Sequence, residues 1–142
     1  MVSARGRLRS ADRIAAVLEL SPEDVGRVVI YEGPSSSVAA VVPSNAEPDR
    51  RAVRRTARIG PLEAVTERRA SELTGYLPES IPPAGLPKEI AVVVDRSFDG
   101  EQVLYFPGGE PRAILKVRGR DLIRAVGARV GSIARRRSEH GG

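Results

Sequence analysis

The sequence predicts an α+β fold, a single domain in which helices flank a mixed, strongly bent (barrel-like) β-sheet of about six to seven strands. Its length of 142 residues is close to that of one domain. Helical and strand patterns are interspersed, without strict βαβ alternation and without an internal repeat. No linker long enough to separate two cores is present, so we place the domain at residues 10–134. The basic segments 1–9 and 135–142 are expected to be flexible tails.

Four helices are predicted from capping residues and from the spacing of apolar residues. Asp49 is a candidate N-cap and Gly60 a candidate stop for one helix, and Thr66 and Gly75 bracket the next. The predicted helices span residues 10–20, 49–59, 66–73 and 119–127.

The strands are predicted from short apolar runs that end at turn residues. Residues 27–31 and 37–42 flank a Gly-Pro-Ser-Ser turn, which is typical of a hairpin. Residues 89–95 form a continuous apolar run, so we expect a central strand that is covered on both faces. The remaining predicted strands span residues 102–106, 112–117 and 128–134.

The composition excludes several kinds of catalytic site. The chain has no Cys, and its single His, His140, lies in the C-terminal tail. The sequence therefore excludes disulfides, thiolate nucleophiles and zinc–thiolate sites, and it lacks a His in the domain for Ser-His-Asp catalysis. We expect neither a metal nor a cofactor. No apolar run is long enough to cross a bilayer and no secretory signal precedes the domain, so we expect no membrane partner and a cytoplasmic location.

Positive charge lies in the two terminal segments and in one predicted helix. The chain carries 21 Arg and 2 Lys against 18 acidic residues, a net charge of +5. In the helix over 49–59, Arg50, Arg54 and Arg58 lie with two further arginines within an arc of about 140°. Such a stripe can bind phosphates, because each guanidinium presents a planar fork of donors. The alternative is an ordinary solvated face.

A proline-rich segment carries the most specific motif. Residues 74–85 read TGYLPESIPPAG, and residues 105–109 read YFPGG. The first segment resembles the T-G-Y-x-x-G-G-x-x-P-x-G loop of the YbaK/EbsC-type aminoacyl-tRNA deacylases, also called the prolyl-tRNA-synthetase-associated editing domain. The second is similar to the Y-V-x-G-G turn of that family. Further similarities follow in the same order over residues 10–134.

The resemblance implies a trans-editing hydrolase that removes mischarged amino acids from tRNA, with tRNA and an aminoacyl-tRNA synthetase as partners. It also implies a metal-free, substrate-assisted reaction. Arg27 stands where the family has a Lys, and we expect it to be the catalytic cation. The stripe of Arg50, Arg54 and Arg58 would hold tRNA phosphates. The expected substrate-binding residues are Thr74, Gly75, Tyr76, Ser80, Pro83, Gly85, Gly108 and Gly109.

The sequence also departs from the family pattern. Arg27 replaces the Lys, and Glu79-Ser80 replaces the Gly-Gly pair of the loop. These departures favour an alternative, a catalytically weak or inactive module of the same fold that binds tRNA or a tRNA synthetase. Another alternative is a small structural domain whose basic patches contact nucleic acid generally. For the hydrolase, we expect Arg27 and the loop to converge on one cavity.

Overall fold

The computed structural model describes residues 10–136, and the structural statements below concern this part of the chain. The N-terminal tail and residues 137–142, including His140, lie outside it. Within it the chain forms a mixed α+β domain with four α-helices. The helices are α1 Ser10–Val17, α2 Arg50–Ala57, α3 Glu67–Thr74 and α4 Gly119–Val126.

Local chemistry sets the ends of α2 and α3 as the sequence predicts, with one exception. The Asp49 carboxylate and the Thr66 hydroxyl accept hydrogen bonds from N–H groups of the first turns. Gly75 ends α3 in the left-handed conformation, with φ of 85°. The predicted stop at Gly60 is wrong, because Arg58 adopts φ of 61° and its N–H closes the last turn of α2.

A five-stranded mixed sheet forms the centre of the domain. Its strand order is β4-β1-β2-β5-β8; β1 and β2 are antiparallel, whereas β2, β5 and β8 run parallel. The predicted hairpin is confirmed, and β5 is central as predicted. The strands of this sheet are β1 Gly26–Glu32, β2 Ser37–Pro43, β4 Glu63–Ala64, β5 Ile90–Asp95 and β8 Arg129–Gly131.

Four further strands lie outside this sheet in two antiparallel pairs. Strands β6 (Val103–Pro107) and β7 (Ile114–Arg118) form one hairpin, and β3 (Ala46–Pro48) pairs with β9 (Ala134–Arg136). A single bridge, Val25 to Tyr105, connects the β6 strand to the start of β1. Strand β9 includes Arg135 and Arg136, which the sequence analysis assigns to the tail. The described part of the central sheet ends at β4 and β8 without closing, so a barrel-like sheet stays a prediction.

The two faces of the central sheet pack against different elements. On the face that we call the α2 face, Val38, Ala40 and Val42 pack against α2 and Ile133. On the opposite face, which we call the loop face, Ala39 and Val41 pack against other partners. The elements there include α3, α4, the β6–β7 hairpin and the proline-rich segment. This division decides where each predicted site residue lies.

Two predicted elements differ in length from those observed. Helix α1 ends at Val17 instead of continuing to Leu20, because Glu19 adopts φ of 55°. The predicted strand 128–134 is interrupted at residues 132–133, since the chain leaves β8 there and pairs with β3 as β9. None of the helices in residues 10–136 is both long and apolar enough to cross a membrane.

Candidate functional site

The proline loop, by which we mean residues 74–85, meets the β6–β7 turn on the loop face of the sheet. The Gly109 N–H donates to the Ser80 carbonyl at 2.9 Å. Gly109 has φ of +97°, and an added Cβ would lie 3.1 Å from the Tyr76 ring. The Tyr76 hydroxyl in turn donates to the Gly85 carbonyl at 3.2 Å. Tyr76 therefore joins the two ends of the loop to the turn, and we call this region the loop–turn site.

Glycine is also required at two further positions of this site. Gly85 has φ of +78°, which disfavours other residues. An added Cβ on Gly108 would lie 2.9 Å from the Ala113 backbone, because the Gly108 N–H donates to the Ala113 carbonyl across the turn. The structure thus brings together the predicted substrate-binding residues of the loop and the turn. Pro83 is buried within the same loop.

Several groups expected to bind substrate already have partners inside the protein. The buried Thr74 hydroxyl donates to the Ala70 carbonyl at 2.8 Å and accepts from the Tyr76 N–H. The N–H groups of Gly108 and Gly109 are both used within the loop–turn site. Thr74 therefore ends α3, and the two glycine amides hold the turn. The expectation that these groups contact the ester or a water is not supported by their hydrogen bonds.

Ser80 is the polar side chain that stands out at the loop–turn site. Its residue is fully buried, and its hydroxyl makes no hydrogen bond to any described residue. Its N–H donates to the Leu77 carbonyl and its carbonyl accepts from Gly109, so the backbone is satisfied. A buried hydroxyl without a partner costs free energy, which makes it a candidate for a ligand contact. The adjacent Glu79 is exposed and does not fill the site.

Two large apolar residues are exposed in the proline loop and next to the β6–β7 turn. Leu77 and Ile114 are 54% and 44% exposed. Leu77 belongs to the proline loop, and Ile114 pairs with Pro107 at the start of the β6–β7 turn. These side chains add exposed apolar surface to the proline loop and to the strand that follows the turn.

Arg27 does not join the loop–turn site. In β1, Val29 and Tyr31 pack on the α2 face, and Arg27 shares their face because side chains alternate along a strand. Its guanidinium donates to the Ala46 carbonyl at 3.1 Å and pairs with Glu47 at 3.0 Å. The expected convergence of Arg27 with the proline loop is therefore wrong. The sequence pattern defines the two faces but does not say which one the loop covers.

The environment of Arg27 is that of a structural ion pair. Its side chain is only 14% exposed, and it binds β3 to β1. Burial raises the pKa of the neighbouring Tyr31 hydroxyl, while the Arg27 charge acts in the opposite direction. On the loop face, β1 presents Val28 and Ile30 instead, both packed in apolar clusters. The loop face of β1 thus has no cation at this point.

Asp95 holds the end of the central sheet together. One carboxylate oxygen accepts from the N–H and hydroxyl of Ser97, and the other accepts from the N–H groups of Ile133 and Ala134. This fixes the approach of the chain to β9.

Within residues 10–136, no three or more His, Cys, Asp or Glu side chains are grouped so that they could hold a metal ion.

The arginines of α2 divide into different environments. Arg50 pairs with Glu63 at 3.1 Å, and Arg54 is partly buried. Arg58 is exposed and lies with Arg96 and Arg129 around a cleft on the α2 side of the sheet. No local sequence pattern indicates Arg96 and Arg129, because they are distant along the chain and meet only through the parallel pairing of β5 with β8.

Comparisons with known proteins agree with this fold. The hypothetical protein APE2540 is 26% identical, and its structure matches 94% of this chain and 96% of its own with a TM-score of 0.82. A proposed trans-editing enzyme for prolyl tRNA synthetase is 23% identical, covers 89% of this chain and 80% of its own, and has a TM-score of 0.79. At that identity the second match shows the shared fold alone.

A comparison with curated proteins finds no significant match. The family model of the aminoacyl-tRNA editing domain matches residues 6–125, which is most of the chain and includes the proline loop and the β6–β7 turn. This match confirms the predicted resemblance to the YbaK-type proteins. The chain belongs to the aminoacyl-tRNA editing domain family.

Proposed function

We propose that this protein is an aminoacyl-tRNA deacylase that acts in trans, hydrolysing the ester of mischarged tRNA at the loop–turn site. One observation carries the proposal beyond family membership. The proline loop and the β6–β7 turn meet at the Ser80 backbone, and the Ser80 hydroxyl is fully buried and has no hydrogen-bond partner among residues 10–136. Because the residue has no exposed surface, a bound ester or its attacking water would supply that partner when the loop and the turn move apart.

Hydrolysis of an aminoacyl ester requires only a small rate enhancement from this site. An aminoacyl ester is already activated, so orienting a water and stabilising the developing oxyanion suffice. The Ser80 hydroxyl donates a hydrogen bond to the ester carbonyl oxygen, whose negative charge grows in the transition state. The exposed Leu77 and Ile114 provide apolar contacts for the amino-acid side chain or the terminal base.

A substrate-assisted reaction without a metal fits the residues of the chain. The chain lacks Cys, and its only His is His140 in the C-terminal tail. A functional group of the aminoacyl-tRNA, such as a ribose hydroxyl, would then orient and activate the water that attacks the ester carbonyl, and the other ribose oxygen would leave as the free hydroxyl. Charged tRNA is made in the cytoplasm, which is where the sequence analysis expects the protein.

Arg27 has a different role in this proposal from the one the sequence predicts. Its contacts with Ala46 and Glu47 lie on the α2 face, away from the proline loop. We therefore assign it to holding β3 against β1. The variant Arg27→Met should lower thermal stability while single-turnover deacylation at a permissive temperature stays near the wild-type rate.

A second candidate is a module of the same fold that binds tRNA or a synthetase without hydrolysis. Hydrogen bonding within the protein favours this candidate. The N–H groups of Gly108 and Gly109 and the Thr74 hydroxyl already donate to carbonyl groups of the protein, so few donors are left for catalysis. Under this candidate, a ligand at the Ser80 hydroxyl is held but not cleaved.

A deacylation panel separates the two candidates. Mischarged tRNAs, beginning with tRNAPro because of the structural similarity to a proposed trans-editing enzyme for prolyl tRNA synthetase, are incubated with the protein under single-turnover conditions. Hydrolysis of at least one of them above the spontaneous rate is the expected result. Binding of charged tRNA without turnover of any would support the second candidate. Equal affinity for tRNA and duplex DNA would instead indicate general nucleic-acid binding.

A further inference from the structure

A cleft lined by arginines lies between α2 and β8, on the α2 side of the sheet. Its volume is about 540 Å³. Four guanidinium groups border it, together with two hydroxyl side chains, and no carboxylate does. We call it the arginine cleft. Its charged and hydroxyl residues are Arg55, Arg58, Arg96, Arg129, Thr56 and Ser132.

The four arginines have no acidic partners in the described part of the chain. All four are exposed, and none makes a salt bridge there. Other arginines of the protein do pair, for example Arg69 with Glu32 and Arg120 with Glu101. Four like charges around one cleft repel one another, and an anionic ligand would relieve this repulsion.

The arginine cleft is not explained by one helix face alone. The helix dipole favours cations near the C-terminal end of a helix. This accounts for Arg55 and Arg58, which lie in or just after the last turn of α2. It does not account for Arg96, which follows β5, or for Arg129, which begins β8. Three separate elements therefore contribute cations to the same cleft.

The walls of the cleft are held close together. An added Cβ on Gly131 would lie 2.3 Å from the Thr56 hydroxyl, so α2 packs directly on the β8 backbone. Parallel pairing of Val93 with Arg129 and of Asp95 with Gly131 fixes β8 beside β5. A rigid wall of this kind fixes the backbone positions of the arginines, so that ligand binding has to order only their side chains.

A second basic cleft adjoins the first. It has a volume of about 350 Å³ and shares Arg55 and Arg58 with the arginine cleft, while Arg51 and Arg54 line its other side. The cationic surface is therefore extended instead of centred on one point. A strand carrying several phosphates fits an extended surface better than a single phosphate does.

We propose that the arginine cleft binds phosphate groups of the RNA backbone. The inference rests on the proposed function in that the RNA is the tRNA substrate. It modifies the predicted trio of Arg50, Arg54 and Arg58: Arg58 is kept in the cleft, Arg54 lines the adjoining cleft, and Arg50 is paired with Glu63. The cleft and the loop–turn site lie on opposite faces of the sheet, so they contact different parts of the RNA. Charged and uncharged tRNA therefore use the cleft equally.

The test is the affinity of uncharged tRNA for the double variant Arg96→Gln/Arg129→Gln over a range of salt concentrations. Both side chains are exposed and neither makes a salt bridge in residues 10–136, so the fold should persist, which thermal unfolding checks. The Kd should rise about tenfold, and the slope of log K against log salt should fall by about one unit for each arginine. The matched control is the double variant Arg13→Gln/Arg124→Gln, which also removes two exposed arginines without a salt bridge in residues 10–136, from α1 and α4 and outside both basic clefts. It should leave both quantities near the wild-type values.

Three results would overturn the inference. The first is a wild-type Kd and salt slope for a folded double variant. The second is an equal loss in the Arg13→Gln/Arg124→Gln control, which would indicate a general charge effect. The third is displacement of tRNA by pyrophosphate or free ATP at concentrations well below millimolar, which would indicate a pocket for small phosphates. Because uncharged tRNA is used, these results are independent of deacylation, and failure of the deacylation panel leaves this measurement valid.

Discussion

Replacing Ser80 with Ala should make the protein more stable and less active. The Ser80 hydroxyl is fully buried and has no hydrogen-bond partner in residues 10–136. Leaving such a group unpaired costs about 1–3 kcal/mol of folding free energy. The small void left by the oxygen offsets part of the gain. For a chain of this length each kcal/mol moves the melting temperature by about 3 °C, so a rise of a few degrees is expected in differential scanning calorimetry.

The same chain supplies a matched control. Ser44 is also buried, but its hydroxyl donates to the Pro22 carbonyl at 3.0 Å. Ser44→Ala removes that hydrogen bond and should lower the free energy of unfolding by about 1 kcal/mol. The two serine variants are therefore expected to shift the melting temperature in opposite directions.

The activity of Ser80→Ala tests whether the Ser80 hydroxyl donates to the substrate. Loss of a hydrogen bond to the developing oxyanion should reduce single-turnover deacylation by about 100-fold, the low end of effects measured for such donors. A melting temperature that falls as in Ser44→Ala would show that the hydroxyl has a structural partner. A melting temperature that rises with unchanged deacylation would show that the hydroxyl does not touch the substrate.

Three other predictions follow from the packing and the ion pairs. Gly131→Ala should lower the free energy of unfolding by about 1–3 kcal/mol in urea denaturation, since the new Cβ would overlap the Thr56 hydroxyl; a neutral result would mean that α2 moves away easily. Asp95→Asn should speed hydrogen exchange of the Ile133 and Ala134 amides, which donate to its carboxylate. Unchanged exchange would show that the carboxylate does not protect these amides. Arg69 lowers the pKa of Glu32 through a hydrogen bond, so the ion pair stabilises the fold above the ordinary value of 4.5 and this contribution disappears as the pH falls through the lowered pKa. Arg69→Gln should therefore differ from the wild type in urea denaturation at pH 7 but not at pH 2, and an equal difference at both would exclude the ionic origin.

Local signals in the sequence predicted much of the fold. The Asp49 and Thr66 caps depend only on side chains and backbone within one turn, and both are confirmed. The β1–β2 hairpin follows from two apolar runs around a short turn. The end of α2 was missed because Arg58 adopts a left-handed conformation that its side chain does not signal. The pairing of β3 with β9 joins residues nearly 90 positions apart, and no local pattern indicates it.

The sequence predicted those parts of the candidate site that have a local signal. The proline loop and the Gly-Gly turn have their own sequence motifs, and the structure brings them together at Ser80 and Gly109. The face of Arg27 could not be predicted, because alternation in β1 separates Arg27 from Val28 without naming the element that covers each side. Arg129 joins the arginine cleft only through the position of β8 in the sheet.

The central claim is that the aminoacyl end of the tRNA binds at the loop–turn site and not beside Arg27. It is tested most directly by NMR chemical-shift mapping with a non-hydrolysable analogue, an aminoacyl-adenosine in which an amide replaces the ester. Backbone amide signals of Ser80, Gly108 and Gly109 should shift, while those of Arg27 and Glu47 stay in place. Shifts centred on Arg27 and Glu47, with the loop and turn unchanged, would contradict the account.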